Sequence, residues 1–181
     1  MGQPGQLGRS GHARTGRSGR TGRPRPGHQA GEGDRALLTL TEVEALARRA
    51  HAGQTDKAGR PYAEHLAAVA GGVRARGGSD EQIAAAWLHD AVEDGALTPA
   101  WLAGAALTEH TKAMVRAVTK RPGEPVEAYT ARILATPGAR LIKEADLAHN
   151  ADPARLAVLD AATRERLTVK YRRVRGLLGL A

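Results

Sequence analysis

In the stretch Ala86-Trp87-Leu88-His89-Asp90-Ala91-Val92-Glu93-Asp94, four ionisable side chains fall within six positions of a run that otherwise reads as a buried helix. On a helix, residues four apart lie one above the other, so His89 is expected over Glu93 and Asp90 over Asp94. A helix that buries Ile83, Ala86, Trp87 and Ala91 gains no stability from such groups unless something pairs with them. Alone, the stretch fits a solvated helix end equally well, with His89 and the acids facing water. The fold must either bring partners to this side of the element or leave it to solvent.

Apolar residues elsewhere recur at helical spacing. Thr41-Glu42-Val43-Glu44 has capping-box spacing, and Val43, Leu46, Ala47 and Ala50 follow at helical period. They predict a first helix to about Ala52, ending at Gly53, with His51 at its C-terminal edge. The Gly and Pro content of residues 53–61 predicts a loop, and a second helix follows from Tyr62 to about Arg76, with His65 in its first turn. Ser79 and Gln82 cap a central helix expected to run through His89-Asp90 and Glu93-Asp94. Thr98-Pro99 starts a short helix; Thr108–Lys120 and Val126–Ala135 give two more, the latter broken by Pro137-Gly138. Residues 139–150 place Leu141, Ile142, Ala145 and Ala148 on an apolar side, with Lys143, Asp146 and Asn150 on a polar one. A last helix, from about Ala162 to Leu178, carries Leu167, Tyr171, Val174 and Leu178 at core spacing. No segment alternates convincingly at period two and no internal repeat is seen. The expected fold is all-α, a bundle of about seven to eight helices.

The length of 181 residues suits one domain with a real core. Cys is absent, which excludes disulfides, zinc–thiolate sites and cysteine nucleophiles. A metal would need His and carboxylate ligands, a donor set for Mn, Fe, Mg or Zn. No apolar run is long enough to cross a bilayer and none follows the basic N-terminus as a signal peptide requires, so the protein is expected to be cytoplasmic with no membrane partner. The net charge is +8, and residues 1–34 carry half of it, with six Arg against Glu32 and Asp34. That Gly-rich stretch holds Leu7 as its one large apolar residue and is expected to be a disordered basic tail beside a domain over 35–181. It reads as an RNA- or membrane-attracted arm, a solubilising extension or the product of an upstream start codon. No aromatic is interleaved for base stacking, so specific nucleic-acid recognition lacks support. Oligomeric state is open.

The candidates for chemistry are His51, His65, His89-Asp90, Glu93-Asp94 and Asp146 with its neighbours. Each alone has a bland alternative, such as a His at a helix end stabilising the dipole. Together, spread over separate predicted helices of a bundle, they supply several ligands to one divalent cation. In order, His51, His89-Asp90 and Asp146 resemble the H…HD…D signature of HD-domain phosphohydrolases. Their surroundings narrow the likeness: Ala50-His51-Ala52-Gly53-Gln54, Lys57-Ala58-Gly59, Pro61-Tyr62 with His65, Leu88 to Asp94 with Thr98, Val118-Thr119-Lys120, Ile142-Lys143, Ala145-Asp146-Leu147, His149 and Asn150. This string, over about residues 40–150, is similar to the hydrolase domain of RelA/SpoT-type alarmone enzymes, and the short chain resembles the stand-alone small alarmone hydrolases.

The resemblance implies that His51, His89, Asp90 and Asp146 hold a Mn ion or another divalent cation. It makes Glu93 and Asp94 the acid pair that orients or deprotonates the attacking water and assists the leaving group. It places Lys57, His65, Lys143 and Asn150 at the substrate's phosphates and ribose, with Tyr171 a late tyrosine lining the pocket. The implied activity is guanosine-3′,5′-bis(diphosphate) 3′-pyrophosphohydrolase, with the alarmone ppGpp as nucleotide partner. The alternatives are hydrolysis of another nucleotide, such as a nucleoside monophosphate, and a non-catalytic nucleotide-binding module. Two positions depart from the family: Thr55-Asp56 stands where basic residues are usual, and Leu66 where proline often follows the equivalent of His65.

Overall fold

A computed structural model describes residues 36–180; the expectation of a disordered tail over 1–34 lies outside the described residues. Within them are nine helices: α1 Leu40–Ala50, α2 Tyr62–Ala75, α3 Asp80–Trp87, α4 Pro99–Gly104, α5 Glu109–Val118, α6 Val126–Ala135, α7 Ala139–Asn150, α8 Pro153–Ala157 and α9 Ala161–Leu177. Among the described residues, a single isolated bridge between Thr55 and Pro61 is the only β pairing. The domain is all-α.

Helix α3 lies at the centre, packed against α1, α2, α5 and α7, while α2 also packs on α7 and α9 closes the bundle against α6 and α7. Ile83 through Leu88 are all buried, because an element surrounded on every side has no polar face to offer. Leu66, Met114, Ile133, Ile142 and Leu147 are fully enclosed around it, each stabilising the fold by roughly 1.5–3 kcal/mol. No helix among the described residues is long and apolar enough to cross a membrane.

Three local features differ from the sequence expectation. The first capping box lies two residues upstream, with Thr39 Oγ1 accepting from the Glu42 amide and Glu42 Oε2 accepting from the Thr39 amide at 2.8 Å. Thr39 has the extended backbone a cap needs, whereas Thr41 already lies inside α1. More consequentially, α3 ends at Trp87 rather than running through Asp94. Residues 88–95 continue as tightened turns, with the Leu88, Ala91 and Gly95 amides bonding three residues back. The expected stacking of His89 on Glu93 along one helix is therefore replaced by a coiled loop. The short α8 was not expected, although Asp152-Pro153 carries the signal: Asp152 Oδ1 accepts from the Ala154 and Arg155 amides, and Pro153 takes the first helical position.

Two polar side chains join elements across the sequence. Arg132 of α6 donates to the carbonyls of Arg116, Ala117 and Thr119, at 2.6, 2.7 and 3.1 Å, and pairs with Glu124. It thereby satisfies carbonyls that the C-terminus of α5 leaves without helical partners. His110 of α5 bridges Glu81 of α3, at 2.9 Å, and the Pro137 carbonyl, at 3.1 Å. Gly138, which separates α6 from α7, has φ +82°, and a Cβ there would lie 2.8 Å from Met114 Sδ and 3.1 Å from Gln82 Nε2.

Candidate active site

The end of α3 aims the central pair. His89 Nδ1 lies 2.8 Å from the Ala86 carbonyl and so carries the proton of that hydrogen bond, which turns Nε2 towards Asp90 Oδ2 at 2.9 Å and Asp146 Oδ1 at 3.7 Å. Asp146 arrives from α7 on the polar face read from the sequence: Lys143 Nζ stands 2.6 Å from its Oδ2, and the Asn150 amide donates to its Oδ1. His65 arrives from the first turn of α2, with Nε2 3.3 Å from both His89 Nε2 and Asp146 Oδ1 and 3.5 Å from Asp90 Oδ2. One donor atom from each of His65, His89 and Asp146 lies within 4.8 Å of the others.

His51 reaches the cluster through an aromatic neighbour. As the C-cap of α1 it hydrogen-bonds Gln54 through Nδ1 at 2.7 Å, and its ring stacks on Tyr62 at 5.0 Å with an interplanar angle of 11°. The Tyr62 hydroxyl in turn donates to Asp90 Oδ2 at 2.6 Å. His51 Nε2 is buried without a hydrogen-bond partner. A buried nitrogen left this way costs about 1–3 kcal/mol, and such an atom calls for a ligand. Imidazole nitrogens beside carboxylate oxygens make a donor set suited to a divalent cation, so the residues present fit one.

Electrostatics in the cluster are dominated by its two carboxylates. Burial disfavours the charged form of His89, yet Asp90 and Asp146 outweigh it and push its pKa up to about 10. His65 is raised against burial in the same way. Burial would lift Asp90 and Asp146 too, but His89 holds Asp90 below the usual carboxylate range, and Lys143 with the two imidazoles does the same for Asp146. His149, whose Nδ1 is 2.7 Å from His65 Nδ1, is driven down to about 4 by burial, Arg155 and His65. Two anionic oxygens thus face a knot of imidazoles, and the attraction that holds protons there serves a cation equally well.

The cluster opens into a cavity of about 220 Å³. Glu93 and Asp94, both exposed, stand on its wall, and Glu93 Oε2 accepts the Lys120 amide at 2.7 Å. Lys57, Lys143, Asn150 and the buried Tyr171 line it as well. Nine of the eleven candidates from the sequence line this one space; His89 is buried in the cluster itself, and His51 stacks on Tyr62, which lines the cavity. Tyr62 belongs to the Pro61-Tyr62 motif though it was given no role there; Arg155 and Lys170, which no motif marked, line the cavity as well. Arg155 Nη1 pairs with Asp56 Oδ2 at 2.7 Å, and Asp56 Oδ1 accepts the Ala58 and Arg60 amides. Asp56, the departure noted above, therefore clips the loop after α1 to α8.

Comparison with known proteins agrees with this arrangement. The family model described as HD domain matches residues 44–133. Over 70 residues the chain is 44% identical to a protein of Synechocystis sp. named probable guanosine-3′,5′-bis(diphosphate) 3′-pyrophosphohydrolase. The match covers 39% of this chain and 9% of that much longer protein. With its buried His/Asp cluster and this match, the chain is an HD-domain protein resembling the RelA/SpoT-type hydrolases.

Proposed function

We propose that the protein is a divalent-cation-dependent phosphohydrolase that cleaves the 3′-diphosphate from guanosine 3′,5′-bis(diphosphate), releasing pyrophosphate. The observation that carries this reading is the meeting, in one cavity, of a buried His/Asp cluster, two exposed carboxylates and two lysines. His51, His89, Asp90 and Asp146 would hold the cation, Mn²⁺ in the first instance, with His65 adjoining them. Bound there, it supplies Lewis acidity to the phosphoryl oxygens. Glu93 and Asp94 take up the proton of the attacking water and return one to the departing oxygen, which needs carboxylates open to the cavity, as these are. Lys57 and Lys143 offset the charge that develops on the phosphate oxygens, while Asn150 and Tyr171 position the nucleotide. The 44%-identical relative's name supports the same chemistry.

The test is cation content and alarmone turnover in the wild type and two near-isosteric variants. Asp90→Asn should lose both, because a neutral amide is a poor ligand for a hard cation. Glu93→Gln should keep the cation and lose about 10²–10⁴-fold in turnover. Full turnover in Glu93→Gln would pass the base role to Asp94. A wild type that binds the cation and cleaves no alarmone would overturn the substrate assignment. The second reading, hydrolysis of a less phosphorylated nucleotide, is favoured by one observation: Asp56 puts a carboxylate in the loop that also carries Lys57. A nucleotide panel separates the two.

A further inference from the structure

The charges around the cavity divide into two sets. Within the cluster, Asp90 and Asp146 are balanced by His89, His65 and Lys143, and Arg155 is tied to Asp56. Lys57, Lys120 and Lys170 also line the cavity, and among the described residues none of them forms an ion pair with a carboxylate. They come from three places far apart in sequence: the loop between α1 and α2, the segment after α5, and α9.

Their convergence at Lys170 is physical as well as topological. Its ammonium is held below the ordinary lysine value first by burial and then by the charges of Lys143, Lys57 and Lys120, which Glu93 offsets only in part. Lysines on an open surface point apart into water. Here Leu167, Tyr171 and Val174 are buried and fix one face of α9 on the cavity, so Lys170 is delivered to its rim. Like charges gathered on one concave wall oppose folding and raise the local concentration of anions. A diphosphate, with its charge spread over several oxygens, offers an acceptor to each of three ammonium groups delivered by three different elements.

We propose that Lys170 is a phosphate-binding residue of this cavity and completes, with Lys57 and Lys120, a subsite for a diphosphate group of the substrate. This rests on the reading of the substrate as a phosphorylated nucleotide, but it is tested without turnover. The probe is inorganic pyrophosphate, titrated calorimetrically into the full chain in the presence of a chelator. Wild type should bind it with an affinity that falls as salt rises. Lys170→Ala should weaken binding about 10-fold, the scale of one lost charged hydrogen bond, and Lys170→Arg should restore most of it. Without the anion, Lys170→Ala should melt no lower than wild type, since it relieves repulsion, yet its pyrophosphate-induced rise in Tm should shrink. Arg164→Ala, on the same helix but away from the cavity, should bind as wild type does. Equal binding by Lys170→Ala and wild type, no binding by wild type, or an equal loss in Arg164→Ala would each overturn the subsite. Weakened pyrophosphate binding in Lys170→Ala beside a wild type inert towards alarmone would uphold the subsite and sink the hydrolase reading alone.

Discussion

The Tyr62 side chain orients two groups at once, its hydroxyl donating to Asp90 while its ring lies against His51. Tyr62→Phe keeps the stack and removes the hydrogen bond, one with a charged acceptor and worth about 1.5–3 kcal/mol. Stability in urea should fall by no more than that, and cation affinity, read by titration, should fall with it. Gly138 is constrained differently: its positive φ and the 2.8 Å approach of Met114 Sδ leave no room for a methyl group. Gly138→Ala should cost about 1–3 kcal/mol in the same urea experiment. At this scale the sequence showed which residue types were present but not which would touch. His65 was expected at the substrate and lies 3.3 Å from His89 Nε2. That proximity arises from the packing of α2 on α3, which no local spacing encodes.

Helix starts were legible at Ser79, Thr98 and Thr108, whose side chains accept from amides three residues on, whereas the cap of α1 was read two residues late and that of α8 was missed. The end of α3 was not legible, because the apolar period continues past Trp87 while distant partners decide the geometry. His89 bonds back to Ala86 and Asp90 is held by Tyr62, so the backbone tightens to serve both. The clasp formed by His110 gives an element-scale prediction. Its hydrogen bonds to Glu81 and Pro137 raise its pKa above the ordinary 6.5, and the partner Glu81 is lowered by Thr108 and His110. Stability from His110 is therefore fully present below its unfolded pKa and is lost as pH rises through the raised folded value. His110→Ala should lower Tm more near about pH 6 than near about pH 9, and added salt should shrink the difference because both side chains are over a third exposed. Arg132 works on the end of α5 without titrating. Arg132→Met should cost about 2–3 kcal/mol at any pH between those values, since it strips several carbonyls of their donor.

Every candidate site residue lies between His51 and Tyr171, so deleting residues 1–34 should leave Tm, cation content and turnover essentially unchanged. Loss of turnover in a truncated chain that still folds would place part of the site in that segment. Fold class was readable at this scale because helical periodicity and Ala/Leu-rich composition repeat along the whole domain, and one misplaced boundary does not change them. The site's wall was only half readable: its cations from α8 and α9 follow from how those helices close over the cavity. The spread of the site along the chain has a temporal consequence. The imidazole and carboxylate groups come from α1, α2, the turns after α3 and α7, and α9 adds the last wall. Closing so long a loop is an entropic cost that must be met before the distant contacts reward it. A chain emerging from the ribosome has His51, His65, His89 and Asp90 long before Asp146 and Tyr171 appear. No nascent chain that stops short of Tyr171 can assemble the cavity, and whatever the protein does to its ligand begins only after α9 has been made.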